Sequence, residues 1–200
     1  MAAQPPSLIL ASRSPRRREL LAQIGVAVSA LPADIDETPQ RCETPEHYVA
    51  RIARGKVAAI TAPSGSCVLG ADTAVVIDDA ILGKPADAGA ARHMLQCLSG
   101  RTHRVYTAVA LRAAAGVESL CVETHVTFRE LTDVECDCYL ASGEPWDKAG
   151  AYGIQGLGGA LVARIDGSYS NVVGLPLCET LCLLRAAGVR SALDPTAGDL

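Results

Sequence analysis

Two tight-turn signals restrict what this chain can fold into. Asp78-Asp79 separates the apolar run Val68–Ile77 from Ile81–Leu82, and Ala113–Gly116 separates Val105–Leu111 from Val117–Phe128. Each reads as a hairpin between strands. Helical segments with clear punctuation lie around them. Thr44-Pro45-Glu46 supplies an N-cap, a proline at the first helical position and an acidic first turn for a helix to about Ile60. Asp87 opens another, with Ala91, Met94, Leu95 and Leu98 on one face and Gly100 beyond it. Thr132 and Glu135 form a capping box for a helix through Ala141, and Pro176 starts a leucine-rich helix stopping near Gly188. Ala160–Ile165 reads as a further strand. Helices and strands interleave, but hairpins exclude an all-parallel sheet, so the expected class is α/β with a mixed sheet.

Two hundred residues, 49% of them hydrophobic, bury a proper core, and one domain over residues 8–190 is expected. Residues 1–7, MAAQPPS, lack a basic segment followed by an apolar core and read as a disordered N-terminus, and residues 191–200 as a loosely held tail. A net charge of −4 and 4% aromatic content argue against a nucleic acid polymer as partner. No apolar run approaches the roughly 20 residues that span a bilayer, so a cytoplasmic protein without a membrane partner is expected. The eight cysteines form no CxxC pair and read as free buried thiols, with Cys178 and Cys182 packed in a helix core. Surface or capping roles are expected for the four dispersed histidines, His47, His93, His103 and His125.

The stretch LILASRSPRRRELLAQIG carries the first chemical signal. Leu8–Ala11 reads as a buried strand; Ser14 caps a helix begun by Pro15, with Leu20, Leu21 and Ile24 as its apolar face and Gly25 as its stop. Arg16, Arg17 and Arg18 then fall in the first turn, where the helix dipole makes a cation unfavourable by about 0.3–1 kcal/mol. An anion of high charge reverses that sign, because free amides, the Ser12 and Ser14 hydroxyls and the arginine forks would all donate to it. The arrangement favours a polyphosphate site, although the P-loop pattern is absent.

In VLGADTAVVIDDAILGKP, Asp72 interrupts an apolar run and needs a cation partner: a metal ion, a lysine or an arginine. Lys84 follows across the hairpin as a candidate for the same cleft. A structural ion pair is one reading; the other is a carboxylate that holds a divalent ion or deprotonates water. Asp34, Asp36 and Glu37 add carboxylates suited to magnesium or manganese. In GEPWDKAGAYGIQGLGG, five glycines from Gly150 to Gly159 require tight turns or close approach, and Gln155 among them carries both a donor and an acceptor for the edge of a base. With Arg16, Arg17, Lys56 and Lys84 as cations, the mixture suits phosphoryl chemistry on a small nucleotide.

Taken in order, ASRSPRRRELL, ARGK, GADTAVV, GKP, LSGRTHRVYTAV, DKAGAYGIQGLG and GSYSNVVGLPL resemble the Maf family of nucleoside triphosphate pyrophosphatases over about residues 8–188. The resemblance implies an elongated, two-lobed α/β body with a central cleft, similar to inosine triphosphate pyrophosphatase. It also implies hydrolysis of a nucleotide to its monophosphate and pyrophosphate with Mg2+ or Mn2+, in a homodimer. AGAYGIQG resembles the dTTP/UTP branch. By the same resemblance Asp72 takes the general-base position and holds metal, with Glu37 as a second metal-side carboxylate. Arg16, Thr73 and Gln155 match positions for base selection, and Ser12, Arg17, Lys56 and Lys84 match phosphate-binding positions, with Lys84 counted among the catalytic groups. Arg13 and Arg18 depart from the family pattern. Two rivals remain: a 7-methylguanosine triphosphate pyrophosphatase, and a nucleotide-binding regulator of cell division without turnover.

Overall fold

The computed structural model describes residues 6–195. Its strands are β1 (Leu8–Leu10), β2 (Ser29–Ala30), β3 (Cys67–Ile77), β4 (Ala80–Leu82), β5 (Thr102–Ala113), β6 (Gly116–Phe128) and β7 (Val162–Asp166). Its helices are α1 (Pro15–Gln23), α2 (Pro45–Ala59), α3 (Ala88–Leu98), α4 (Asp133–Ala141), α5 (Tyr169–Val173) and α6 (Leu177–Ala186). The strands form one sheet in the order β2-β1-β3-β5-β6-β7, with β4 paired to β3. β1 lies parallel to β2 and β3, whereas the β3–β4 and β6–β7 pairs are antiparallel, so the sheet is mixed as expected. Asp78 and Asp79 form the β3–β4 turn, with φ of 49° and 61°. That left-handed pair is the geometry whose twist suits a two-residue hairpin.

The chain divides into two compact units. Among the described residues the first comprises 6–72, 108–121 and 174–195, and the second 73–107 and 122–173. In the first, α2 lies against β3 at Gly70, where an added Cβ would stand 2.6 Å from the Ala53 carbonyl and 2.8 Å from Val57 Cγ2. Only glycine permits that approach, and around it Val49, Ile52, Ala53 and Val57 pack fully buried with Val68 and Leu69. Ser14 caps α1, and Gly25 (φ +70°) ends it as expected.

In the second unit, Val75, Ile77, Leu95, Leu98, Val126, Phe128, Tyr139 and Tyr152 form the core. The Thr132–Glu135 capping box is present on α4, and Asp87 caps α3 through the Ala90 amide at 2.8 Å. The residues Leu157–Leu161 form a 3-10 turn, so β7 begins only at Val162, two residues later than the expected strand start.

Several expectations need correction. His103 is not a surface residue; it is 1% exposed, stacked edge-on to Phe128 and Tyr152, and its Nε2 lies 2.8 Å from the Tyr152 hydroxyl. The cysteines are free thiols, but only Cys67 and Cys136 are buried. Cys178 and Cys182 are exposed because α6 buries Thr180 and Leu184 instead. Leucine spacing located the helix, not its inward face. Ser191, placed at the start of a loose tail, donates from its amide and hydroxyl to Asp194 at 2.8 Å, and Asp194 pairs with Arg185 at 2.7 Å. Residues 1–5 and 196–200 of the two expected terminal segments lie outside the described residues.

Burial lowers the pKa of His103 from 6.5 to about 4, so the ring is neutral in the fold. The unfolded chain binds the extra proton between those values, so the stability contribution is complete above pH 6.5 and is lost as pH falls toward 4. As pH falls from 6.5 to 4, urea unfolding should show the wild type losing roughly 3 kcal/mol more stability than a His103→Leu variant. Parallel pH profiles for the two proteins would refute the burial of a neutral imidazole.

Candidate active site

Lys56 stands in the last turn of α2, the end where the helix dipole favours a cation. Its Nζ lies 2.7 Å from Asp72 Oδ1 and 2.8 Å from Glu37 Oε1. Asp72 is 7% exposed and Lys56 8%, so both charges are held inside the first unit, while the Glu37 side chain is half exposed. Lys56 therefore supplies the cation partner that a buried Asp72 requires. Burial pushes the Asp72 carboxyl pKa above the ordinary range, and the Lys56 and Arg17 charges pull it part of the way back.

Arg17 is also buried and belongs to the same electrostatic cluster. Burial lowers its pKa, against the opposing pull of Asp72. Its Nε donates to the Gly174 carbonyl at 2.7 Å and its Nη1 to Ser12 Oγ at 3.3 Å. Ser12 Oγ accepts the Ser14 amide as well, at 3.1 Å, so both hydroxyl lone pairs are engaged and its proton is the group left to donate. Arg16 is half-buried, whereas Arg13 and Arg18 are exposed. The three consecutive arginines of α1 thus differ in environment, with Arg17 alone built into the interior.

The acidic loop before α2 does not gather as a three-carboxylate shell. Asp36 Oδ1 accepts the Thr38 amide at 2.9 Å and closes a local turn, and Asp34 is exposed. Glu37 alone of the three pairs with Lys56. Among the described residues no group of three or more histidine, cysteine, aspartate or glutamate side chains is placed to hold a metal. Asp72 and Glu37, already converging on one cation, are the carboxylates that could hold a divalent ion. Such ions are commonly held by one or two carboxylates together with substrate phosphates.

Sequence reading missed what holds Glu37. The Tyr48 hydroxyl donates to the Glu37 carbonyl at 3.0 Å, and Arg51 Nη2 to the Thr38 carbonyl at 3.0 Å. Arg51 also forks onto Glu43 at 2.7 and 2.8 Å. Tyr48, Arg51 and Lys56 sit at spacings of three and five along α2, and all three reach the same loop. The signal was an arginine and a tyrosine on one helical stripe, which is indistinguishable in sequence from a solvated face.

The remaining candidates belong to the second unit. Thr73 Oγ1 lies 2.9 Å from Thr107 Oγ1. Thr107 gives its proton to the Asn171 carbonyl at 2.9 Å, so Thr73 is the donor in the threonine pair. Asn171, fully buried, donates to the Val105 carbonyl and to Thr124 Oγ1 at 3.0 Å each. Lys84 is exposed just after β4, and Gln155 is exposed in the glycine-rich segment. Asp147 and Lys148 in that segment pair with each other at 2.6 Å.

A mixed α/β sheet with a buried carboxylate, ammonium and guanidinium clustered in the first unit defines a protein with a candidate anion-handling site. The chain belongs to the family of Maf-like proteins, whose model matches residues 7–187. A dTTP/UTP pyrophosphatase of Anaeromyxobacter dehalogenans is 56% identical over 187 residues, covering 92% of this chain and 95% of that protein. One from Myxococcus xanthus is 55% identical over 190 residues, with 94% and 96% covered. One from a Shewanella strain is 51% identical over 193 residues, with 92% and 100% covered. Among solved structures, a HAM1 protein from Coxiella burnetii matches with a TM-score of 0.51 at 17% identity, covering 91% of this chain and 100% of that one. That likeness bears on the fold alone.

The Arg51 clamp yields a direct expectation. In an Arg51→Ala variant the amides of Thr38 and Gln40 should exchange hydrogen about tenfold faster, the equivalent of one charge-assisted hydrogen bond. Amides of the sheet, such as Ala11 and Cys67, should keep their protection. Uniform loss across both sets would show that Arg51 supports the fold at large rather than this loop.

Proposed function

We propose that this protein hydrolyses dTTP, UTP and related pyrimidine nucleoside triphosphates to the monophosphate and pyrophosphate. The observation that carries the proposal is the buried Asp72–Lys56 pair beside Arg17 and Ser12, in a chain whose 51–56% identical relatives bear the name of that activity. No helix among the described residues is long and apolar enough to cross a membrane, which accords with a cytoplasmic enzyme acting on a small substrate, and a homodimer is part of the same proposal.

In the proposed reaction Asp72 takes a proton from the water that attacks the α-phosphorus. The new bond joins water oxygen to phosphorus; the bond to the bridging α–β oxygen breaks, and pyrophosphate leaves with its electrons. An Asp72 carboxyl lifted above the ordinary range by burial is a stronger base than a solvated one, and Lys56 keeps it ionised enough to act. Arg17, Arg16, Lys56 and Lys84 are assigned to the phosphate oxygens, where charge builds as the bond breaks. Ser12 is assigned as a neutral donor to the same oxygens. Asp72 and Glu37 would hold a magnesium or manganese ion, which would supply further neutralisation of phosphate charge. Thr73 and Gln155, with Arg16, are assigned to reading the base.

Two measurements test these assignments. An Asp72→Asn variant should lose at least ~10²-fold in turnover, and near-normal turnover would refute Asp72 as the base. The acid limb of kcat/KM in the wild type should lie above the ordinary aspartate range, because activity needs the ionised carboxylate. Lys56→Gln removes a charge that favours ionisation, so the limb should move to still higher pH. A limb that stays in place would break the link between the two residues. A panel of triphosphates read by pyrophosphate release decides the substrate: preference for 7-methylguanosine triphosphate over dTTP and UTP would overturn the choice, and tight binding without release would favour the non-enzymatic regulator.

A further inference from the structure

One carboxylate in the second unit has an unusual set of partners. Glu144 follows α4 and begins a short 3-10 turn, Glu144–Asp147. Its Oε2 accepts the Leu157 amide at 2.8 Å, and its Oε1 accepts the Gly158 amide at 3.0 Å and the Tyr139 hydroxyl at 2.8 Å. Tyr139 Oη in turn accepts the Gly153 amide at 3.0 Å. Backbone donors on both sides of Gln155 are therefore tied to one carboxylate–phenol pair.

Space around the pair is closed in the same sense. A Cβ at Gly156 would collide with the Glu144 carboxylate, and one at Gly158 would lie 2.6 Å from Tyr139 Oη and 2.7 Å from the Gly153 carbonyl. The glycines allow the loop to wrap the carboxylate, yet glycine also leaves a chain the most freedom to lose. Something must fix it. Tyr139 is 2% exposed within the core, so the hydroxyl is delivered from a rigid base. Lys148 Nζ donates to the Glu144 carbonyl at 2.6 Å, which holds the other end of the acid. Burial by itself would raise the Glu144 pKa, but the Gly158, Tyr139 and Leu157 donors outweigh it, and the carboxyl is held below the ordinary range. The group is thus anionic at neutral pH, with two oxygens that only accept. Glutamine would turn an NH2 group toward one of the three donors, and aspartate would fall one methylene short.

We propose that Glu144 and Tyr139 are positioning residues that set the discrimination between bases, by holding the Gly153–Gly158 turn and with it Gln155 in one shape. The inference rests on the proposed pyrophosphatase activity and adds to it a cause for the loop's order. Charge on the phosphates is handled by other residues, so the effect is on which base is accepted and not on triphosphate recognition.

The test compares wild type, Glu144→Gln and Tyr139→Phe by three readouts: kcat/KM for UTP and for ATP, competitive inhibition by inorganic tripolyphosphate, and hydrogen exchange. Tyr139→Phe keeps the ring in the core and separates loop order from folding. Both variants are expected to lose about tenfold in the UTP-over-ATP ratio, with faster exchange at Leu157 and Gly158 and unchanged inhibition by tripolyphosphate. An unchanged ratio despite faster exchange overturns the inference and leaves the activity standing. Equal loss of tripolyphosphate inhibition overturns it too, since the residues would then serve the fold at large. A wild type that releases pyrophosphate from neither nucleotide refutes the activity, and the inference falls with it.

Discussion

A single ammonium, Lys56 Nζ, lies within 2.8 Å of two carboxylates, one buried and one half in solvent. Much of the first unit follows from bringing them together. An unpaired Asp72 in a strand that is otherwise apolar would be costly, and so would an unpaired Lys56 in the buried face of a helix. The two meet because Gly70, two residues before Asp72, lets α2 rest its backbone on β3. A side chain there would push the helix away and separate both charges. The packing rule at Gly70 and the charge rule at Asp72 are one constraint seen from two sides.

Such a pair is weak evidence of stability, since apolar residues of similar volume often serve a fold better. Its persistence in a well-packed unit points to use. The buried carboxylate gains basicity from desolvation, and the neighbouring cations limit that gain, so the group stays available as an acceptor of protons. Two cations, Lys56 in direct contact and Arg17 through its field, act on the one carboxylate.

Local punctuation was legible in the sequence. Ser14, Thr44, Asp87 and the Thr132–Glu135 box each cap the helix expected of them, and Asp78-Asp79 turns where it should. These signals act over three or four residues, so the chain carries them in plain order. Asp72 was legible as a buried charge in need of a partner, but Lys56 was not legible as that partner, because it lies sixteen residues away on a different element. The clamp of Tyr48 and Arg51 on the Glu37 loop and the grip of Glu144 on the glycine turn share that difficulty. His103 misled for the opposite reason: a polar residue among polar and charged neighbours turns inward only because Phe128 and Tyr152, far along the chain, provide the ring-shaped slot.

The candidate groups of the two units are held by different forces. In the first, the candidate groups are full charges: Arg16, Arg17, Glu37, Lys56 and Asp72. Coulomb attraction falls off only as the inverse of distance, so these tolerate small displacements and would grip any triphosphate alike. In the second, order comes from directional hydrogen bonds: Thr73 to Thr107, Thr107 to the Asn171 carbonyl, and the Leu157, Gly158 and Gly153 amides to the Glu144 carboxylate and the Tyr139 hydroxyl. Hydrogen bonds weaken steeply with angle and distance, so a shift of a few tenths of an ångström matters there and not among the charges. The five glycines of the loop, the strongest sign of flexibility in the sequence, belong to a backbone bonded on both sides of Gln155.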